Sequence, residues 1–282
     1  MASDFVLSSG DVNRHATTEV FDYYRCTKCE LMFLHPLPGD LGAFYRGGYE
    51  PIPGNLAELK ALAERQKYRL DPILKYKQSG RLLEIGPWIG IFSSNAKDAG
   101  FDVTALEIDS NCVDFLNRIV GINAIQCSDP ARAMKTMPMQ FDVIVFWHSF
   151  EHLKSPWQII ANTAQCLAPG GILVIGIPNI ESLDFSVLRS AWLHLDAPRH
   201  LSFYTARGLE KVAVANGLRT LDLITNDPLS TELSLGAWRI RARSTVRIRV
   251  IRKLWGDLLF HRAMKRSHGH GSGLTAVFGK PE

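Results

Sequence analysis

At 282 residues with a formal net charge of +4, the chain can bury one substantial core plus a smaller appendage, and its charge is too mild to imply a partner. With 46% hydrophobic and 21% charged residues, its composition is that of an ordinary globular protein. No run of about 18 uncharged apolar residues exists, which argues against a spanning helix. Met-Ala-Ser-Asp-Phe at the start is not the basic-then-apolar pattern of a secretory signal. Five cysteines, odd in number and mostly within apolar runs, speak against a disulfide framework and for a reducing cytoplasm.

The first 50 residues read as a separate head. Tyr24-Arg-Cys26-Thr-Lys-Cys29 forms a CxxC turn before a short strand and a proline-rich exit at Pro36 and Pro38. Cys26 and Cys29 stand at zinc-ligand spacing, but a closed tetrahedral site needs four ligands. His15 and His35 are the nearby imidazoles, and neither has convincing spacing. Two readings stay open, a zinc site and a pair of free thiols. From Leu56 to Lys77 the apolar residues recur at helical spacing, predicting a helical linker over 51–79.

The central stretch is Arg81-Leu-Leu-Glu84-Ile-Gly86-Pro-Trp88-Ile-Gly90. It is a short apolar strand ending in a carboxylate, then a glycine-punctuated turn, then a helix start. Such a loop lets backbone N–H groups approach a nucleoside ligand. A second strand, 101–107, ends at Glu107, 21 residues beyond Gly86, where a Rossmann-type unit grips ribose hydroxyls. A helix over 110–119 and a third strand over 122–129 follow. Asp129, closing that strand, suits either a contact to an exocyclic amine or a helix N-cap.

Phe141-Asp-Val-Ile-Val-Phe-Trp147-His148-Ser-Phe-Glu151-His152 is a buried strand with polar groups at its C-terminal end, the edge where open α/β sheets bind ligands. A helix over 155–167, a Pro-Gly-Gly turn and a strand over 172–179 come next. The regular alternation predicts a doubly wound α/β fold with a mostly parallel sheet. The segment 192–205 then gathers His194, Asp196, Arg199, His200 and Tyr204, with Thr205 as N-cap of a helix over 206–216. His148 and His200, with His194 behind them, are the candidate general bases for a hydroxyl. Between Arg239 and Arg266 ten Lys/Arg meet a single acid, Asp257. That basic, partly apolar insertion, over about 232–268, suits an anionic membrane surface, another polyanion, or simple solvation with its apolar face docked. A final strand spans 274–279.

The string around Glu84, Gly86 and Gly90 resembles motif I of the class I S-adenosylmethionine-dependent methyltransferases, with Trp88 where the middle glycine is usual. The stretch 141–153 resembles motif IV of the same family, and the Pro-Gly-Gly turn its following region. The head resembles the zinc ribbon preceding many bacterial methyltransferases of sugar and cell-envelope clusters, lacking its first cysteine pair. The resemblance implies a Rossmann-like fold with Glu84, Gly86, Trp88, Gly90 and Trp147 around the cofactor, Glu107 on its ribose, Ile108 on adenine and Asp129 capping adenine. It implies methyl transfer to a hydroxyl oxygen of a small-molecule, sugar or lipid-linked acceptor, and the basic composition of 239–266 adds peripheral contact with an anionic membrane. Some quinone O-methyltransferases of this superfamily hold a divalent cation with Glu-x-x-Glu-His, and here His148 takes the first position. Three other classes compete. A nicotinamide oxidoreductase lacks its glycine spacing, and a non-catalytic scaffold is suggested by Trp88. A nucleic-acid methyltransferase lacks the Asn/Asp-Pro-Pro-aromatic motif.

Overall fold

The computed structural model describes residues 2–45, 51–137, 140–225 and 271–282, with positions 228, 230 and 232 besides. The predicted basic insertion lies, apart from Glu232, outside the described residues where its charge is concentrated.

Three strands open the chain: β1 (Ser3–Gly10), β2 (Val20–Cys26) and β3 (Met32–Leu34). Asn55 then caps α1 (Leu56–Glu64), accepting the Glu58 N–H at 3.0 Å, while the Glu58 carboxylate accepts the Gly54 N–H at 2.8 Å. The helix predicted as far as Lys77 is not continuous. It stops at Glu64 and resumes as α2 (Asp71–Leu74), with Pro72 in its first turn. Proline has no N–H to continue a ladder from a preceding turn and is tolerated where a helix starts. The alternating core follows as β4 (Gly80–Ile85), α3 (Ile91–Asp98), β5 (Phe101–Glu107), α4 (Ser110–Phe115) and β6 (Asn123–Gln126). It continues with α5 (Pro130–Thr136), β7 (Phe141–Trp147), α6 (Pro156–Cys166) and β8 (Leu167–Pro178). The last described elements are α7 (Leu183–Leu188), β9 (Ser202–Phe203), α8 (Ala206–Ala215), β10 (Arg219–Ile224) and β11 (Gly273–Gly279).

The chain divides into two compact units. One comprises Met1–Gly47, Ile177–Leu209 and Leu223–Thr275; the other comprises Gly48–Gly176, Glu210–Asp222 and Ala276–Glu282. The larger sheet has the order β10-β11-β8-β7-β4-β5-β6. Its inner pairs, β4 with β5 and β7, β5 with β6 and β7 with β8, are all parallel, as the alternation predicts. Leu82, Leu83 and the run Val143–Phe146 are fully buried, because helices cover both faces of a parallel sheet. The chain winds from β4 outward through β5 to β6, then returns to β7 on the other side of β4. That reversal makes the C-terminal edge between β4 and β7 the topological switch point.

The other unit is built on an antiparallel sheet, β1-β2-β3-β9, in which Met32 pairs with Phe203. Phe21, Tyr23, Met32, Phe185, Trp192 and Phe203 fill its core. Buried Arg199 binds both oxygens of Asp11, at 2.6 and 3.1 Å, and both of Asp196, at 2.7 and 2.9 Å. The first 45 residues are therefore joined to the segment around residue 200 by both a strand pair and an ion cluster.

Candidate active site

At the switch point β4 ends in Glu84 and Ile85, and the chain turns through Gly86 and Gly90 into α3. Gly90 takes φ +81°, and a Cβ there would lie 2.4 Å from the Leu116 side chain, so only glycine fits this turn. Trp88 stands in the same left-handed region, at φ +53°. The conformation that favours a glycine is thus kept with a tryptophan in it, at a cost of about 1–2 kcal/mol. What it achieves is visible: the Trp88 N–H donates to Glu107 Oε2 at 2.8 Å. The ring is half-buried and packs on the hydrophobic core.

Glu107 ends β5, the neighbouring parallel strand. Its Oε1 accepts the N–H groups of Ile108 and Asp109 at 2.8 and 3.0 Å. Burial pushes its carboxyl up, and the three backbone N–H bonds oppose that shift by favouring the charged form. Glu84 is more deeply enclosed, 2% exposed, and burial drives its carboxyl up to about 7 against the pull of the Ser93 hydroxyl that donates to it. Ile108, beside Glu107, is 65% exposed, an unusual setting for an isoleucine.

Trp147 closes β7, and its ring packs so tightly on Gly176 that a Cβ there would come within 2.4 Å. Its indole N–H is buried without a hydrogen-bond partner. The guanidinium of Arg69, itself 8% exposed, lies 5.4 Å from the Trp147 ring centroid. Among the described residues no carboxylate or carbonyl hydrogen-bonds the Arg69 side chain; the charge of Glu84 acts on it at longer range. A buried cation and a buried donor, both lacking an acceptor, suit a carboxylate-bearing ligand. Arg69 carries no local sequence signal, since an arginine between Tyr68 and Leu70 in a short helical turn reads as a surface residue.

His148 follows immediately, at φ +52°, with its N–H donating to Gly176 O at 2.9 Å. Its Nδ1 lies 3.8 Å from Oε1 of Glu151, whose side chain is fully buried. Asp129 N-caps α5, accepting the Arg132 N–H at 3.0 Å, the capping role that its position after a strand also suits. The geometry therefore joins Glu84, Gly86, Trp88, Gly90, Glu107 and Trp147 into one connected edge, with Ile108 and His148 at its margins and Asp129 serving its own helix.

His194 and His200 belong to the other unit. His200 is 9% exposed, and its Nδ1 donates to His194 O at 2.8 Å. Thr205 caps α8 as expected, accepting the Gly208 N–H at 2.9 Å. Cys26 and Cys29 are adjacent free thiols. Among the described residues no third metal-binding side chain joins them, so the zinc reading of this pair lacks the ligands a structural site needs.

A doubly wound sheet with an acid-terminated second strand and a glycine-bearing first loop defines a Rossmann-like enzyme that binds a nucleoside cofactor. The chain belongs to the methyltransferase-domain family, whose pattern matches residues 58–223. It is a class I methyltransferase, and S-adenosylmethionine is its cofactor. It is 26% identical over 194 residues to the ubiquinone biosynthesis O-methyltransferase of Burkholderia orbicola, covering 64% of this chain and 83% of that protein. The enzyme of the same description from Aromatoleum aromaticum is 25% identical over the same shares of both chains. A SAM-dependent methyltransferase structure from Archaeoglobus fulgidus superposes with a TM-score of 0.55 at 17% identity, covering 77% of this chain and 94% of that one, a likeness of fold. Among the described residues no helix is long and apolar enough to cross a membrane.

Proposed function

We propose that the chain methylates a hydroxyl oxygen of a small molecule, with His148 as general base. The observation that carries this reading is the His148–Glu151 pair at the end of β7. The buried Glu151 carboxyl, 3.8 Å from Nδ1 of the partly exposed His148, is close enough when ionised to favour the imidazolium formed as the ring takes a proton. The O-methyltransferase activity in the names of the two relatives supports a hydroxyl acceptor.

When bound, S-adenosylmethionine supplies a methyl group on a sulfonium centre. Glu107 would take a ribose hydroxyl through Oε2, which accepts a single backbone N–H and keeps a lone pair, while both lone pairs of Oε1 are engaged by Ile108 and Asp109. Ile108 covers the adenine, which explains its exposure without a ligand. Asp129, with the oxygen its cap leaves over, accepts the adenine amino group. Arg69 and the Trp147 N–H hold the methionine carboxylate. Gly86 and Gly90 let the loop backbone approach, and Glu84 fixes the loop from behind through Ser93. Catalysis then comes from alignment of the two reactants and from proton removal by His148.

The test is release of S-adenosylhomocysteine with a panel of hydroxylated small molecules, wild type beside His148→Ala. The variant should keep its affinity for S-adenosylmethionine and lose about 10²–10⁴ in kcat. Undiminished kcat in the variant, or methylation confined to amines, would overturn the proposal.

A further inference from the structure

Of the five cysteines, two are neighbours, and they sit in a turn that holds them together. Cys26 ends β2, and Cys29 lies on the connection to β3. The Cys26 N–H donates to Leu31 O at 2.9 Å, and the Glu30 N–H donates to Cys26 O at 3.0 Å. Glu30 closes the turn at φ +62°. The turn brings the Cys29 thiol and the Cys29 and Lys28 N–H groups near enough to the Cys26 sulfur to act on its charge. The two side chains are also unlike in access: Cys26 is 2% exposed, whereas Cys29 is half-buried and reaches solvent.

The other thiols are set apart from this pair. Burial pushes Cys127 and Cys166 up, and takes Cys112 to about 12, so these three remain protonated. Cys26 is shifted the other way, held low chiefly by the Cys29 and Lys28 N–H groups. With no third ligand beside them among the described residues, the two sulfurs have each other as reaction partners.

We infer that Cys26 and Cys29 are a thiol–disulfide redox pair, closed by small-molecule disulfides of the oxidised-glutathione class. Cys29, the accessible sulfur, passes its proton to the Cys26 thiolate and attacks one sulfur of the oxidant. The oxidant's S–S bond breaks and its first thiolate leaves. Cys26 then gives up its proton to solvent and attacks the Cys29 sulfur, forming the Cys26–Cys29 bond and expelling the second thiolate. Two cysteine thiols are oxidised, and one disulfide is reduced to two thiols. The pair belongs to the unit that holds neither Glu84 nor Glu107, and this inference stands apart from the proposed activity.

The experiment is incubation of the full chain with oxidised glutathione, followed by thiol titration in denaturant and tryptic mapping. Trypsin cuts after Lys28, so a Cys26–Cys29 bridge alone links the two flanking peptides. The titratable thiols should fall from five to three, with the linked peptide pair as the product. Cys26→Ser should stall as a lasting glutathione adduct on Cys29. The inference fails if wild type keeps five thiols, if a glutathione adduct persists on it, or if Cys112, Cys127 and Cys166 oxidise equally. It fails also if the protein retains one zinc per chain and that metal shields both thiols.

Discussion

Glu84 makes the protein less stable as the pH rises from mildly acidic to neutral. Its carboxyl is 2% exposed, and burial carries it from an ordinary value of 4.5 to about 7 in the folded chain, the Ser93 hydroxyl and the charge of Arg69 opposing the shift. Between those two values the folded state holds a proton that the unfolded chain has released. Stability therefore falls as pH increases through this window, being greatest below the unfolded value and lost by the time the folded carboxyl ionises. The interval corresponds to about 3 kcal/mol. Glu84→Gln keeps an acceptor for Ser93 and cannot ionise, so it isolates the effect while every other titration is common to both proteins. Urea unfolding from about pH 4.5 to about pH 8 should show wild type losing about 3 kcal/mol relative to the variant. Parallel curves for the two proteins would refute the reasoning.

Three further outcomes follow from the geometry. Gly90→Ala places a Cβ 2.4 Å from Leu116 at φ +81°, and should lower unfolding free energy by about 2–4 kcal/mol in denaturant titrations. Arg199→Met leaves the buried Asp11 and Asp196 without their cation, costing about 3–5 kcal/mol near neutral pH by the same assay. That loss should shrink in acid, as the two carboxyls gain protons. Arg69→Met should weaken S-adenosylmethionine about tenfold or more in calorimetry, a difference of about 1.4 kcal/mol or more. It should leave methylthioadenosine, which lacks the carboxylate, unaffected.

The cofactor edge was legible because its signals are local. A strand ending in Glu84, a turn punctuated by Gly86 and Gly90, and an acid at Glu107 are readable over 30 residues, since backbone geometry there dictates residue type. Trp88 was flagged as a departure from the motif, but its left-handed backbone and its N–H bond to Glu107 arise only when β4 and β5 lie side by side. Arg69 was invisible for a related reason. Its burial depends on Trp147, 78 positions away, and periodicity says nothing about such a contact. The pairing of β3 with β9, some 170 residues apart, was equally hidden, as was the Asp11–Arg199 ion pair. Local patterns predict elements, and long-range pairs decide which elements share a sheet. Pro72 shows the converse. It is a local signal for a helix start, and apolar spacing across 56–77 hides it because both helical pieces share that spacing.

The most direct test of the account is calorimetric titration of S-adenosylmethionine into wild type and Glu107→Ala. The account predicts one site per chain in wild type, weakened about tenfold or more by the substitution, because Glu107 is the carboxylate fixed by the N–H groups of Trp88, Ile108 and Asp109. Equal affinity in the two proteins, or no binding to a folded wild type, would contradict it.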